Sequence, residues 1–413
     1  MPLLTLGLAL ALASTAVAST AVAEPARVDI PRLMQLGDIP GLTIAVVRAD
    51  TLSWSAAHGV RNTQTRADVD DDTVFEAASL SKTLFAYVAL RLADRGVIDL
   101  DTPLVRYAAY PRLADDRRHR DVTARMCLTH TSGLPSWGVR FVAEPGSRFI
   151  YSGEGIRFLR KTLEAVTGRS LEDLARREAF APLGMTRSSY LWTPELANNR
   201  ASGHDAQGSP QPRRRCPGGS AAASLHTTAR DYASFLAACL AGEGLSDEMH
   251  AEMLRTQTPA VLGSAAGMSS AQVGWGLGWG TMAAPVGERI WQWGDNGDTV
   301  ALAVGDPASG DGFVYLANSA TGLSIAHALH ESLLTGRPWC LDALGYQRHD
   351  GPARLQWLEA RARQALSRGA WRQAVRRLHT ILELRPSHAW AARQLHALEE
   401  RRAERDADGS GQG

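Results

Sequence analysis

The sequence predicts an α+β fold. Three observations carry that prediction. β-rich runs lie at both ends of the main stretch, helical patterns fill its middle, and an early hairpin can join the late strands in one antiparallel sheet.

The elements follow in order. Residues 2–23 are apolar or small and carry no charge, and A-V-A-E at 21–24 reads as a small-residue cleavage site. A signal peptide over 1–23, cleaved after Ala23, is expected, although the usual basic residue ahead of the run is missing; A-V-A at 16–18 is a second cleavage option and an uncleaved anchor the alternative. The main domain is placed at 28–337. L-T-I-A-V-V-R and L-S-W-S-A-A-H-G, around A-D-T, predict the hairpin. Leu80, Leu84, Val88 and Leu92 share one face of a helix that Gly96 stops. A short helix is expected at 122–128. Another follows at 151–168, with Ile156, Leu159, Leu163 and Val166 on one face, and a third at 170–180, with Ser170 as cap and Asp173 at the capping-box position. After a polar loop at 198–217, whose R-R-R at 213–215 reads as solvated, Thr228 caps a helix running to 240. Runs at 275–282, 289–293, 299–304 and 312–317 read as a strand meander, closed by a helix at 324–334.

The C-terminal part differs. Residues 338–351 read as a linker, 352–403 as three helical patterns and 404–413 as a disordered tail. Trp371, Val375, Leu378 and Leu382 mark one apolar face; Trp390, Leu395 and Leu398 mark another. The segment is similar to tetratricopeptide repeats but holds about one and a half of them, short of a self-standing stack. It is expected to pack on the main domain or to dock a protein partner.

Composition narrows the function. The net charge of +1 and the lack of a basic run with aromatics give no reason to expect nucleic acid. Many of the eleven tryptophans cluster at 276–293 and in the tail, where they line a cleft or fill a core. Cys127, Cys216, Cys239 and Cys340 form no C-x-x-C pair and no metal-ligand spacing with histidine; export permits disulfides, but the pairing stays open. No metal and no cofactor are expected.

Ser79 and Lys82 stand three residues apart at the start of the first long helix, so both lie on one face at its positive end. Only two lysines occur in the chain, Lys82 and Lys161; every other strong base is arginine. A guanidinium cannot deprotonate near neutral pH, whereas a buried amine can, and a serine hydroxyl needs such a base to become a nucleophile. Lys161, in R-K-T-L-E, reads as an ordinary solvated lysine.

Five motifs then line up: F-x-x-x-S-x-x-K-T at 75–83, G-V-I-D-L-D-T-P-L at 96–104, L-T-H-T-S-G-L-P at 128–135, Y-S-G-E-G at 151–155 and P-L-G-M-T-R-S at 182–188. Their order resembles the serine β-lactamase and penicillin-binding protein superfamily, and most closely the class C β-lactamase-related hydrolases, over about 39–334. The resemblance implies a β-lactamase/transpeptidase-like fold with a helical subdomain. It implies Ser79 as nucleophile, Lys82 as its base and Tyr151 as a phenol whose pKa a neighbouring ammonium lowers, so that it serves as base and then acid. It also places Gln292, Trp293, Gly294 and Asp295 on the strand flanking the cleft, with the Ser79 and Asp295 N–H groups as oxyanion donors, Gly294 allowing close approach of substrate, and the Asp295 side chain pointing away.

Two positions depart from the family's motifs. Gly153 stands where the family's Tyr-x-Asn has its amide, and Gln292 where it has a cationic or titratable group that helps hold the substrate carboxylate. Both argue against tight recognition of a carboxylate-bearing β-lactam. Glu154 reads as a helix-start carboxylate, His130 as part of a structural turn under the cleft, and His226 as part of a helix-cap region. The implied function is an exported, secreted or periplasmic serine hydrolase acting on a small ester, a peptidoglycan-derived D-amino-acid peptide or a β-lactam. The alternative is a catalytically weakened binding or sensor domain with a helical docking tail.

Overall fold

The computed structural model describes residues 28–212, 216–262 and 272–407, without the side chains of 402–407. The expected signal peptide, R-R-R at 213–215 and the last six residues lie outside the described residues.

Helix α1 (Ile30–Gly37) leads into strands β1 (Gly41–Arg48) and β2 (Thr51–Gly59). Ala49 and Asp50 both adopt positive φ at the turn, as a two-residue hairpin of primed type requires. Short β3 (Phe75–Glu76) precedes α2 (Leu80–Asp94), α3 (Ala124–Leu128), α4 (Gly153–Thr167), α5 (Leu171–Ala175) and α6 (Pro194–Ala197). The Ser170–Asp173 capping box at α5 is present. Then come β4 (His226–Thr227), α7 (Ala229–Ala241, capped by Thr228) and α8 (Asp247–Leu254). The meander is β5 (Thr258–Pro259), β6 (Val273–Trp275), β7 (Gly280–Ala283), β8 (Glu288–Asp295), β9 (Val300–Asp306) and β10 (Asp311–Ala317). The run at 275–282 is thus two strands and a turn, because Gly278 adopts a φ of +94° between them.

Among the described residues eight strands form one antiparallel sheet, in the order β2-β1-β10-β9-β8-β7-β6-β5. Strand β1 pairs with β10, so the N-terminal hairpin completes the C-terminal meander. This is an α+β fold of β-lactamase/transpeptidase-like architecture. One core lies between the sheet and the helices α2, α4 and α7. A second covers the opposite sheet face with α1 and α9 (Ala326–Leu333).

Helix α2 is buried on nearly every side, not along one stripe. It is the central rod of the first core, and an all-round apolar surface is what such a position demands. Trp275, Trp279 and Trp291 are fully buried core.

The expected linker is a structured piece of the domain. Helix α10 (Trp339–Leu344) buries Cys340, Leu341 and Ala343 in the second core. Helices α11 (Pro352–Ser367), α12 (Trp371–Leu384) and α13 (Ala389–Ala407) then enclose a small core of their own. On α12 the buried face is Ala374, Leu378 and Ile381, while Trp371 stays exposed. The α12–α13 side therefore departs from the stripe expected through Trp371. The trio docks on α1 through polar contacts: Arg354 donates to the Leu36 carbonyl at 2.7 Å and Arg377 pairs with Asp38 at 2.9 Å. Helix α13 runs to Ala407, four residues into the stretch expected to be disordered from 404. Among the described residues no helix is long and apolar enough to cross a membrane.

Candidate active site

Ser79 sits between β3 and α2. Ala78 just before it holds a φ of +47°, a left-handed conformation unusual for alanine, which turns the chain sharply from strand into helix. Ser79 occupies the N-cap position, but its side chain caps nothing, which leaves the hydroxyl available for other work. One turn on, Lys82 Nζ lies 2.8 Å from Ser79 Oγ and donates to the Ala222 carbonyl at 2.7 Å. Burial pushes the Lys82 amine down to about 7, because an ammonium there would lose its water. Ser79 itself is only partly covered.

Tyr151 faces this pair. Its ring centroid is 4.8 Å from Lys82 Nζ and its hydroxyl hydrogen-bonds with Ser79. Burial raises the phenol to about 12, and the hydrogen bonds from Ser79 and Gln292 oppose that shift without cancelling it. The expected lowering by a neighbouring ammonium is not found: desolvation of the phenolate dominates. Burial thus favours the uncharged form at both groups, the amine of Lys82 and the phenol of Tyr151.

Gln292, on β8, is fully buried and donates from Nε2 to Tyr151 Oη at 2.9 Å and to the Ser79 carbonyl at 3.2 Å. Trp293 turns to the other face and packs on Tyr151 at 4.8 Å. Gly294 is pressed against the start of α2: an added Cβ would lie 2.4 Å from the Ala77 carbonyl and 3.1 Å from the Ser79 nitrogen. The Asp295 carboxylate accepts from the Gly297 N–H at 2.7 Å and from Tyr346 Oη at 2.8 Å, which fix its orientation. Gly294→Ala is expected to push β8 off the helix and lower kcat/KM by about 100-fold with the fold retained. Ester kinetics beside a circular dichroism spectrum check this.

The other weighed residues fall outside the chemistry. Glu154 is buried, accepts from Tyr110 Oη at 2.9 Å and pairs with Arg112 at 2.7 Å. His130 is buried beneath the cleft, its Nδ1 accepting the Ser152 N–H at 3.0 Å and its ring 4.5 Å from that of Tyr151. Burial and the Lys82 charge hold it well below the ordinary histidine range, and so neutral. His226 lies in β4 near Glu76, two residues before Thr228, the cap of α7. Lys161 is exposed and pairs with Glu164 at 2.7 Å. At Gly153 a Cβ would meet the Ser136 carbonyl at 2.5 Å, so this backbone has no room for the family's asparagine. All four cysteines are free thiols, only Cys216 exposed. Among the described residues no cluster of histidine, cysteine and carboxylate groups is arranged to hold a metal ion.

Sequence reasoning missed two participants. Ala222 acts through its carbonyl, which no side chain advertises. Tyr346 lay in the supposed linker, where an aromatic between a glycine and a polar stretch was the only signal.

An antiparallel sheet, a buried central helix and a serine–lysine–tyrosine cluster at its start define the class of protein. The Beta-lactamase family model matches residues 29–334, and the chain belongs to that family. It is 23% identical over 198 residues to Protein flp of Staphylococcus aureus (strain N315), covering 43% of this chain and 40% of that protein. Penicillin-binding protein 4 of Amycolatopsis lactamdurans is 30% identical over 179 residues, covering 38% of this chain and 46% of that one. The chain thus spans less than half the length of these curated relatives. Among solved structures it resembles an octameric penicillin-binding protein homologue from Pyrococcus abyssi (TM-score 0.63, 23% identity, 73% of this chain and 75% of that one). It also resembles a class C β-lactamase (TM-score 0.62, 22% identity, 75% and 95%). A D-alanine carboxypeptidase from Burkholderia cenocepacia is similar too (TM-score 0.61, 22% identity, 74% and 97%). These likenesses concern the fold.

Proposed function

We propose that the chain is an exported serine hydrolase that works through an acyl-enzyme on esters or amides. The observation that carries the reading is the 2.8 Å approach of Ser79 Oγ to the buried amine of Lys82. In this reading Ser79 Oγ attacks the carbonyl carbon while its proton passes to Lys82 Nζ. The N–H groups of Ser79 and Asp295 receive the oxyanion. Collapse expels the alcohol or amine, which takes up the proton from Lys82, with Tyr151 relaying it as a neutral acid. Water then attacks the acyl-serine by the same route in reverse and releases the acid.

Gln292 and Gly153 favour an esterase or D-amino-acid peptidase of relaxed specificity over efficient β-lactam hydrolysis. A neutral amide at position 292 offers no charge to a substrate carboxylate, and nothing at 153 reaches the substrate as an amide would. The catalytic unit of the proposal is the expected domain at 28–337 together with α10, and α11–α13 are its tetratricopeptide-like appendage. Purified protein should turn over 4-nitrophenyl acetate at least tenfold faster, in kcat/KM, than nitrocefin. Turnover of neither, with specific retention on a peptidoglycan column, would replace the hydrolase by a binding or sensor domain.

A further inference from the structure

A cavity of about 300 Å³ opens beside Tyr151 and Trp293. Phe149 and Leu262 line it from the family domain; Leu344 and Tyr346 line it from beyond residue 334, where the family match ends. Among the described residues none of its lining is charged. Its geometry is held from two sides. Phe149, Tyr151, Trp275 and Trp293 pack ring against ring, with centroids 4.8–6.5 Å apart in the pairs Tyr151–Trp293, Phe149–Trp275, Tyr151–Trp275 and Trp275–Trp293. Gly345 ends α10 with a left-handed φ of +69°, which swings Tyr346 across to Asp295. The Asp295 carboxylate is thus anchored at the end of β8, next to the glycine that touches Ser79.

We propose that this cavity takes an uncharged apolar group, alkyl or aryl, of the substrate, and that α10 and Tyr346 are the elements that select it. The inference rests on the hydrolase reading and narrows it to hydrophobic esters or amides. An aromatic wall gains from each methylene removed from water. A carboxylate placed there would lose its hydration, meet no cation and face Asp295.

The test is a series of 4-nitrophenyl esters with the full chain. The octanoate should exceed the acetate in kcat/KM by at least about tenfold, and the hexanoate should exceed its ω-carboxylate counterpart by a similar factor. Leu344→Trp, which fills the cavity, should bring the octanoate-to-acetate ratio to about one. A fluorophosphonate label at Ser79 with no chain-length preference would overturn the pocket and leave the hydrolase standing. If Ser79 takes no label and no ester is cleaved, the hydrolase reading fails, and titration with octanamide decides the pocket by itself: binding that Leu344→Trp abolishes upholds it, and no binding overturns it.

Discussion

Ser79→Ala should abolish covalent labelling by a fluorophosphonate and cut ester turnover by roughly 10⁴-fold or more. Removing the nucleophile removes the acyl-enzyme route altogether, so the loss is far larger than for a positioning residue. The fold should survive. The Ser79 side chain makes no cap hydrogen bond to α2, so alanine there forfeits no helix-start interaction. Thermal unfolding within a few degrees of wild type, together with loss of the labelled Ser79 peptide in a mass spectrum, is the expected pair of results. Equal labelling of both proteins would dispose of Ser79 as the nucleophile.

Lys82→Arg should be nearly as damaging, about 10³-fold in kcat/KM, because a guanidinium keeps its proton. The wild-type pH profile is the sharper measurement. With the amine near 7, kcat/KM should climb about tenfold per pH unit below 7 and level off above it. The phenol near 12 adds no second limb in the accessible range. Stability gives an independent readout. The folded amine titrates near 7 and the unfolded one near 10.5, so between those values the unfolded chain binds the extra proton. This group's contribution to stability therefore rises with pH across that window and is flat below it. Lys82→Met should remove that rise, which denaturant titrations of both proteins at pH 7 and pH 9 would reveal. A profile with its midpoint near 10 would mean that the amine is not desolvated and is not a base poised for neutral pH.

Much of this was legible in the chain. The β-rich runs around A-D-T became β1 and β2, and the run at 312–317 became β10, the partner of β1, because strand-forming composition is a local signal. The serine and lysine could be paired from spacing alone, since a helix turn brings residues three apart to one face. The capping box at Ser170 and the cap at Thr228 were local too. Long-range approach was not legible. Nothing in a string of small residues says that the Ala222 carbonyl meets Lys82, or that Gly153 stands too close to Ser136 for any side chain. Residues 338–351 looked like a linker because Gly, Pro and polar positions interrupt them. Their burial came from a groove that forms only when α1, α9 and the sheet have assembled.

The amino-acid order by itself determined the α+β architecture, the position of a candidate nucleophile and the presence of one lysine suited to amine chemistry. Only the tertiary structure decided in which direction each ionisable group is shifted. Ionisation depends on how much water the surrounding atoms displace, and those atoms come from α2, β8, the Tyr151 segment and the loop at Ala222. The amine falls and the phenol rises for the same reason, since charge in either place would cost hydration that the packed cleft does not return.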